Sequence, residues 1–254
     1  MTTIHHFNGG TLHAPPGPKA ACHCLLLEGR NGLAVVDTGI GLHDVRDPLG
    51  RIGQPLIDLA GFQFREDQTA VRTVERLGFK PGDVTDIVLT HADPDHAGGL
   101  ADFPDARVHV AAEELAALTA GDPRYLPAQF AHGPNWRAYG PATRSWFGLE
   151  ARPIGLGLDS EVLLVPLFGH TAGHCGVAIR QGARWTLHVG DAYYLRVELT
   201  TDDHPVSALT RVRAVDDARR RTSLDHLRRL AREYTGEVEL FGYHDFGEFP
   251  GSVN

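Results

Sequence analysis

The chain has 254 residues, 42% of them hydrophobic, so it can bury a full core as one large or two small domains. Its formal charge of −8 and pI of about 6.0 argue against binding to nucleic acid or to acidic membrane surfaces. No apolar run approaches the ~20 residues of a membrane span, and the N-terminus lacks the pattern of a secretory signal. These features predict a cytoplasmic protein in which the three cysteines are reduced thiols.

The first predicted elements are strands at residues 22–27 and 33–37, joined by a hairpin with Asn31-Gly32 turn chemistry. The second strand ends in Asp37-Thr38-Gly39. An aspartate at the end of a strand often orients a neighbouring metal ligand, and a simple turn cap is the alternative.

Two long stretches show no clear periodicity. Residues 40–66 are expected to form a flap or an interface arm, because a connection of this length in a compact domain is more often functional than idle. Residues 121–150 form a second aromatic-rich loop, whose rings either line a substrate pocket or pack the loop against the core. Neither stretch resembles a linker, so we predict one domain over residues 1–254 with two insertions over its cleft.

The remaining elements follow from apolar patterns, with short runs assigned to strands and helical spacing assigned to helices. The predicted strands are 86–89, 108–110, 161–167, 175–180, 185–189 and 238–241, and the predicted helices are 67–77, 111–118 and about 215–234. The charge run Arg219-Arg220-Arg221 is expected on a solvated helix face. The histidines His5, His6, His13 and His43 are expected at the surface, and His188 and His204 are taken as ordinary polar residues.

The segment after strand 86–89 places His91, Asp93, Asp95 and His96 within six residues. Carboxylates this close repel one another unless a cation or protons neutralise them. Imidazole and carboxylate together suit zinc, iron or manganese, so the segment predicts a metal site. A polar, solvated loop is the alternative interpretation.

Three further predicted strands end in residues of the same kind, namely His170, Asp191 and His244. Strand ends of a layered α/β fold converge on one rim, where sites are built. Four separate strand ends that all offer His or Asp therefore favour one shared site.

Taken together, His91-x-Asp93-x-Asp95-His96, Gly169-His170-Thr171-Ala172-Gly173-His174, Gly190-Asp191 and His244 resemble the motifs of the metallo-β-lactamase superfamily, and Asp37-Thr38-Gly39 resembles its early strand-end motif. The resemblance implies an αββα sandwich, two mixed β-sheets flanked by helices, with two divalent metal ions at one edge. It implies a first metal on His91, Asp93 and His170, and a second on Asp95, His96 and His244, with Asp191 bridging. The matching His174 is usually structural in the family.

This chain has Asp93 where the family usually has histidine. Three carboxylates and one hydroxide would just neutralise two divalent ions. We therefore expect a weaker Lewis acid with a higher pKa of its bound water, and some preference for harder ions. Zinc is the expected metal, with iron or manganese as alternatives.

Two local features resemble the N-acyl homoserine lactonase branch: Tyr194 lies three residues after Asp191, and segment 40–66 resembles an arm used for dimerisation and substrate cover. The resemblance implies opening of a small-molecule lactone or ester by a metal-bridging hydroxide. Asp95 would transfer the proton, and Tyr194 would polarise the carbonyl. A homodimer is expected, with neither nucleic acid nor membrane as a partner.

Three alternatives stay open at this point. A glyoxalase II-like thioesterase would use the same metals but needs cationic residues that the sequence does not place. A diiron redox or oxygenase-type protein would fit the carboxylate at position 93. A degenerate scaffold would hold less than one metal ion.

Overall fold

The structure is a computed structural model that describes residues 2–30 and 32–250. Its strands are β1 (Thr3–Leu12), β2 (Ala20–Gly29), β3 (Gly32–Val36), β4 (Phe62–Gln63), β5 (Val84–Val88), β6 (Arg107–Ala111), β7 (Asn135–Tyr139), β8 (Ser145–Trp146), β9 (Leu149–Glu150), β10 (Arg152–Ile154), β11 (Val162–Pro166), β12 (Cys175–Gln181), β13 (Arg184–His188) and β14 (Val238–Phe241). Its α-helices are α1 (Leu42–Arg46), α2 (Pro48–Arg51), α3 (Gln54–Ala60), α4 (Ala70–Arg76), α5 (Pro94–Ala97), α6 (Ala112–Thr119), α7 (Pro127–Phe130), α8 (Pro205–Arg213) and α9 (Asp217–Glu233).

The strands form two mixed sheets and a short β8–β9 hairpin. The larger sheet has the order β4-β1-β2-β3-β5-β6-β7, antiparallel at its start and parallel from β3 onward. The smaller sheet has the order β10-β11-β12-β13-β14, with a parallel pairing only between β13 and β14.

Three buried layers hold the sheets and helices together. Leu25, Leu27 and Val36 of the larger sheet pack against Val177 and Ile179 of the smaller sheet to form the central layer. The opposite face of the larger sheet packs under the first helices, and the opposite face of the smaller sheet packs under α9. This arrangement confirms the predicted αββα sandwich with two mixed sheets flanked by helices.

Strand β2 shows why its sequence is almost continuously apolar. Successive side chains of a strand point to opposite faces, so Leu25 and Leu27 enter the central layer while Cys24 and Leu26 enter the outer one. Both faces are covered, which favours apolar residues on each, and the buried His23 is an exception. Asn31, half of the predicted Asn-Gly turn that follows, lies outside the described residues.

Residues 40–66, which show no clear periodicity in the sequence, contain α1, α2, α3 and β4, and their role as a flap or an interface arm stays a prediction. The three helices have only five, four and seven residues, too few to produce a helical period in the sequence. Local signals were present: Pro48 and Pro55 stand in first turns, and Gly61 ends α3 in the left-handed conformation with φ of 71°.

Residues 121–150 are also more regular than predicted. They contain α7, the edge strand β7 of the larger sheet, and the β8–β9 hairpin. Trp146 is buried against Trp185, and Phe130 lies near Trp136, so these rings pack the segment down. Among the two interpretations of the aromatic residues, these contacts favour packing.

The N-terminal segment forms β1, a strand that was not predicted. Its residue His6 is partly buried and hydrogen-bonds His23, so the expectation of a solvated His6 is wrong. The long predicted helix is α9. Its N-cap is Asp216, whose side chain accepts a hydrogen bond from the Arg219 amide. The preceding helix α8 was not predicted. Arg220 is buried and pairs with Asp217, so the arginine run is not a fully solvated face.

All three cysteines are buried free thiols. Across residues 2–30 and 32–250, none of the helices combines the length and the apolar character that crossing a bilayer requires.

Candidate metal centre

The predicted ligands all lie at one edge of the sandwich, just beyond the ends of four strands. The segment from His91 to His96 follows β5, and His170 follows β11. Asp191 follows β13, and His244 follows β14. All seven predicted metal ligands are buried, so the fold brings them together away from bulk water.

The predicted first subsite consists of His91, Asp93 and His170 beside Asp191. The structure brings ligand atoms of His91, His170 and Asp191 within 4.8 Å of one another, with Asp93 next to them. The Oδ2 atom of Asp93 lies 3.5 Å from the Nε2 atom of His91 and 3.2 Å from that of His170. Asp191 Oδ2 lies 3.3 Å from His170 Nε2 and 4.0 Å from His91 Nε2. Two ligand atoms about 2.1 Å from a tetrahedral ion are about 3.4 Å apart, so these separations suit one ion.

The second subsite is formed by Asp95, His96 and His244 on the other side of Asp191. Asp95 Oδ2 lies 3.8 Å from the Nε2 atoms of both histidines. Asp191 Oδ1 lies 3.2 Å from His96 Nε2, and its Oδ2 lies 3.3 Å from His244 Nε2. Asp191 therefore touches both subsites, in the position expected of a bridging ligand.

Unpaired buried atoms test whether these residues fit a metal. His91 Nε2, His96 Nε2 and Asp191 Oδ1 are buried without a hydrogen-bond partner among the described residues. Such atoms are costly unless something binds them. Because all three point into the same cluster of imidazoles and carboxylates, the residues present fit divalent ions.

Asp37 contacts the ring nitrogen of His96 that faces away from the other ligands of the second subsite. Its Oδ2 lies 2.9 Å from His96 Nδ1, and its carboxylate also accepts hydrogen bonds from the amide and hydroxyl of Thr90 at 2.8 and 2.7 Å. A carboxylate on Nδ1 fixes the tautomer that leaves Nε2 free for a metal. Of the two roles that the sequence left open for Asp37, this contact favours orientation of a ligand over a turn cap. His244 is held similarly, with Nδ1 2.8 Å from the Ala21 carbonyl.

His174 serves as a structural residue, as the resemblance implied. Its Nδ1 lies 2.9 Å from the Leu167 carbonyl, and its Nε2 accepts a hydrogen bond of 2.9 Å from the Asp191 amide. Both ring nitrogens are therefore in use, and the ring positions Asp191.

Glu114 is a residue that sequence reasoning missed. Its buried carboxylate accepts hydrogen bonds from the Ala92 amide at 2.9 Å, the Thr171 hydroxyl at 2.6 Å and the Gly173 amide at 3.1 Å. These groups belong to the two loops that carry His91 and His170. Glu114 therefore ties both loops of the first subsite together, and burial raises its pKa.

Arg124 was also missed. Its guanidinium pairs with both oxygens of Asp93, through Nε to Oδ1 and through Nη2 to Oδ2. Burial alone would raise the pKa of Asp93, but Arg124 and the adjacent histidines hold it well below its usual range. The charge count made from the sequence lacked this cation, and the expectation of a weaker Lewis acid stays a prediction.

Tyr194 lies against the centre. Its ring centroid is 5.9 Å from that of His170 and 4.9 Å from that of His244, both in edge contacts. Burial, Asp191 and Asp93 raise the pKa of Tyr194 well above its usual value, so the phenol keeps its proton and can donate a hydrogen bond. Tyr193 instead donates to Glu248, away from the ligands.

The structure thus defines an αββα sandwich with two groups of His and carboxylate side chains that could hold metal ions, one on each side of Asp191. A family model places the chain more closely: residues 17–235 match the metallo-beta-lactamase superfamily, and the chain belongs to it.

Curated relatives match part of the chain. A probable metallo-hydrolase of Mycobacterium tuberculosis is 45% identical over 199 residues, covering 76% of this chain and 63% of the relative. The chain thus spans less than two thirds of that relative's length. An N-acyl homoserine lactonase of Azorhizobium caulinodans is 29% identical over 160 residues, covering 59% of this chain and 56% of the relative.

Solved structures share the fold over almost the whole length. An N-acyl homoserine lactone hydrolase with N-hexanoyl-L-homoserine bound at its catalytic metal centre has a TM-score of 0.74 and 21% identity. The likeness covers 96% of this chain and 94% of that one.

Proposed function

We propose that the chain is a binuclear metal-dependent hydrolase that opens a lactone or ester, with N-acyl homoserine lactones as the first substrate class. The observation that carries this proposal is the shared Asp191, which lies within 3.3 Å of a ligand nitrogen of each subsite. The similarity to lactonases in sequence and fold supports the choice of substrate.

The roles of the residues follow from their positions. Metal ions held by the seven ligands, zinc in the first instance, would polarise the substrate carbonyl and lower the pKa of a bound water. Asp95 is exposed over 12% of its side chain, so it can receive a proton from the attacking water and deliver it to the leaving alkoxide.

Tyr194 would stabilise the carbonyl oxygen of the substrate as negative charge develops on it. A phenol whose pKa is raised by burial and by two aspartates remains a hydrogen-bond donor at neutral pH. Its edge contacts with His170 and His244 hold the ring beside both subsites. A donor fixed in this way costs little reorganisation during the reaction.

One observation favours a second candidate, a glyoxalase II-like thioesterase acting on an anionic substrate. Sequence reasoning did not place cationic residues at the site, but Arg124 and Arg213 both lie beside Asp93. The Arg213 side chain is 39% exposed, and its Nη2 lies 3.9 Å from Asp93 Oδ2. An exposed guanidinium at the site can bind a substrate carboxylate.

A hydrolysis panel tests the proposal. Zinc-loaded protein of measured metal content is assayed with N-acyl homoserine lactones, simple esters, anionic thioesters and β-lactams, with Asp191→Ala as the control. We expect lactones to be hydrolysed fastest and Asp191→Ala to be at least about a thousandfold slower. Fastest turnover of thioesters would select the second candidate, and no turnover by two-metal protein would refute both.

A further inference from the structure

The guanidinium of Arg124 occupies the first subsite in a specific way. Its Nη2 atom lies 2.5 Å from Asp93 Oδ2 and also 2.7 Å from His170 Nε2. Both of these are atoms that the first metal would need. Arg124 therefore hydrogen-bonds to two of the residues predicted to bind the first metal ion.

The contact with His170 excludes simultaneous metal binding through that nitrogen. Arginine has only donors, so Nε2 of His170 must accept the hydrogen bond with its single in-plane lone pair. A metal ion would require the same lone pair. The contact with Asp93 also removes much of the negative charge that would attract a cation.

The surrounding residues build this position of Arg124. Its Nη1 donates a 2.8 Å hydrogen bond to the Arg213 carbonyl at the end of α8. The next residue, Tyr125, donates at 2.8 Å to Glu114, the carboxylate that joins the two ligand loops of the first subsite. The arginine side chain is only 11% exposed, so the contact is not a surface ion pair.

Within residues 2–30 and 32–250, the second subsite has no equivalent of this arginine. Among the described residues, the ion-pair partners of Asp95 are His96 and His244, which are themselves ligands. Its ligand nitrogens lie beside carboxylates of the same centre, as where His244 Nε2 hydrogen-bonds Asp191 Oδ2 at 3.3 Å. A metal ion there has no arginine among the described residues to displace, whereas in the first subsite Arg124 already occupies a ligand nitrogen.

We propose that Arg124 is a positioning residue whose guanidinium occupies the first subsite in place of a metal ion. Metal then fills the second subsite first, and it fills the first subsite only when Arg124 withdraws from His170. The protein then passes through a state with one metal ion. This inference rests on the metal centre of the proposed function and is independent of the substrate.

Metal titration tests the order of filling. Metal-free protein is titrated with Zn²⁺ in a chelator-buffered solution, and binding is followed by calorimetry. We expect two steps per wild-type chain, the second at least about tenfold weaker. Arg124→Gln removes the competitor, so the weaker step should become at least about tenfold tighter, while the stronger step changes little.

A variant without the second subsite assigns the steps. In a His96→Phe background, the remaining step should match the weaker one and should tighten when Arg124→Gln is added. Arg124→Lys keeps the positive charge but lacks the two-pronged guanidinium. The metal affinity of its weaker step should lie between those of wild type and Arg124→Gln. Arg211→Gln, an exposed arginine on α8, is the charge-matched control and should leave both steps unchanged.

Two results would overturn the inference. Equal affinities in the two wild-type steps would show that no resident cation competes. Weaker metal binding in both Arg124 variants, with native circular dichroism, would show that the arginine only braces Asp93. Hydrolysis is not used as the readout, so a failure of the lactone panel would leave this test intact.

Discussion

Two groups of histidines, all buried except the partly buried His6, lie side by side in this molecule and differ in chemistry. The metal cluster consists of His91, His96, His170 and His244, and the sheet cluster consists of His6, His23 and His188. The Tyr243 ring separates them, with centroid distances of 3.7 Å to His96 and 5.9 Å to His188. Members of both clusters are surrounded by the core of the sandwich.

The clusters differ in what the imidazoles face. In the sheet cluster, His23 stacks on Phe241 and Phe249, and its Nε2 lies at hydrogen-bond distance, 2.9 Å, from His6 Nδ1. Burial and the neighbouring histidines lower the pKa of His6 to about 4 and that of His23 to about 2. In the metal cluster, burial acts in the same direction on His96, but Asp191, Asp95 and Asp37 outweigh it and raise the pKa.

The comparison shows that an unpaired buried nitrogen does not by itself identify a ligand. Nδ1 of His23 has no partner among the described residues, just as Nε2 of His96 has none. The carboxylates near His96 make the difference, because they supply the negative charge that a cation needs. Histidine count alone, 15 in this chain, could not separate the two clusters.

Replacing one histidine of each cluster by phenylalanine should reduce metal binding in the metal cluster only. His96→Phe keeps a ring against Tyr243 but removes a ligand, so we expect loss of about one metal ion per chain and at least a thousandfold slower hydrolysis. His23→Phe should keep full metal content and near-normal activity. Metal analysis after dialysis is the measurement, and equal metal loss in both variants would contradict the distinction.

Asp37→Asn should weaken metal binding by about 10- to 100-fold without removing any ligand. Asparagine keeps one oxygen for Thr90, but its amide group would then face His96 Nδ1 as a donor. That contact favours the tautomer with a proton on Nε2, which cannot bind a metal. Competition with a chelator measures the change.

Asp86→Asn is the matched control for Asp37→Asn. Asp86 is a buried carboxylate on β5 that pairs with His109 Nε2 at 2.7 Å and with Arg107, both on the neighbouring strand β6. This variant should lose stability and keep its metal affinity. A similar loss of metal from both variants would show that any buried carboxylate matters, and not the one behind His96.

The sequence predicted which residues come together at this edge of the sandwich, because they stand in compact motifs at strand ends. Four of the predicted ligands lie within the six residues from His91 to His96. Apolar runs marked the strands that precede His170, Asp191 and His244. The αββα fold followed from the resemblance carried by these motifs. The roles of the ligands in this chain stay predictions until metal binding is measured.

Arg124 and Glu114 could not be predicted because neither belongs to a motif. Arg124 reaches Asp93 from a loop 31 positions away, and that contact depends on a guanidinium orientation that no sequence period encodes. Glu114 looked like an ordinary polar residue of a helix first turn. The strand β1, which carries His6, was missed because its polar histidines hid the alternation that marks a strand.

The sheet cluster should make the metal-free protein sensitive to acid. The pKa of His23 is lowered from 6.5 to about 2 in the folded state, so below pH 6.5 the unfolded chain binds more protons at this site. Stability from this group is full above pH 6.5 and falls as the pH decreases. Between pH 6.5 and 4.5 the loss should be about 2 kcal/mol.

His23→Phe tests this sensitivity. Urea unfolding of metal-free wild type and variant at the two pH values gives the difference, and the variant should lose about 2 kcal/mol less on acidification. Phenylalanine suits a site that stacks on Phe241 and Phe249. An unchanged pH dependence in the variant would show that His23 is not the group that titrates.

The smallest effects on catalysis are expected from substitutions of the aromatic residues that pack on each cluster. Tyr194→Phe keeps the edge contacts with His170 and His244 but removes the phenol donor, so kcat should fall about tenfold with little change in KM, a loss of about 1.4 kcal/mol. Phe249→Leu, which alters the ring on His23, should leave kcat unchanged. If the phenol acts on the developing charge, the loss in Tyr194→Phe should appear with lactones and esters alike at equal metal content. A rise in KM at constant kcat would mean that Tyr194 binds the substrate equally in its ground and transition states.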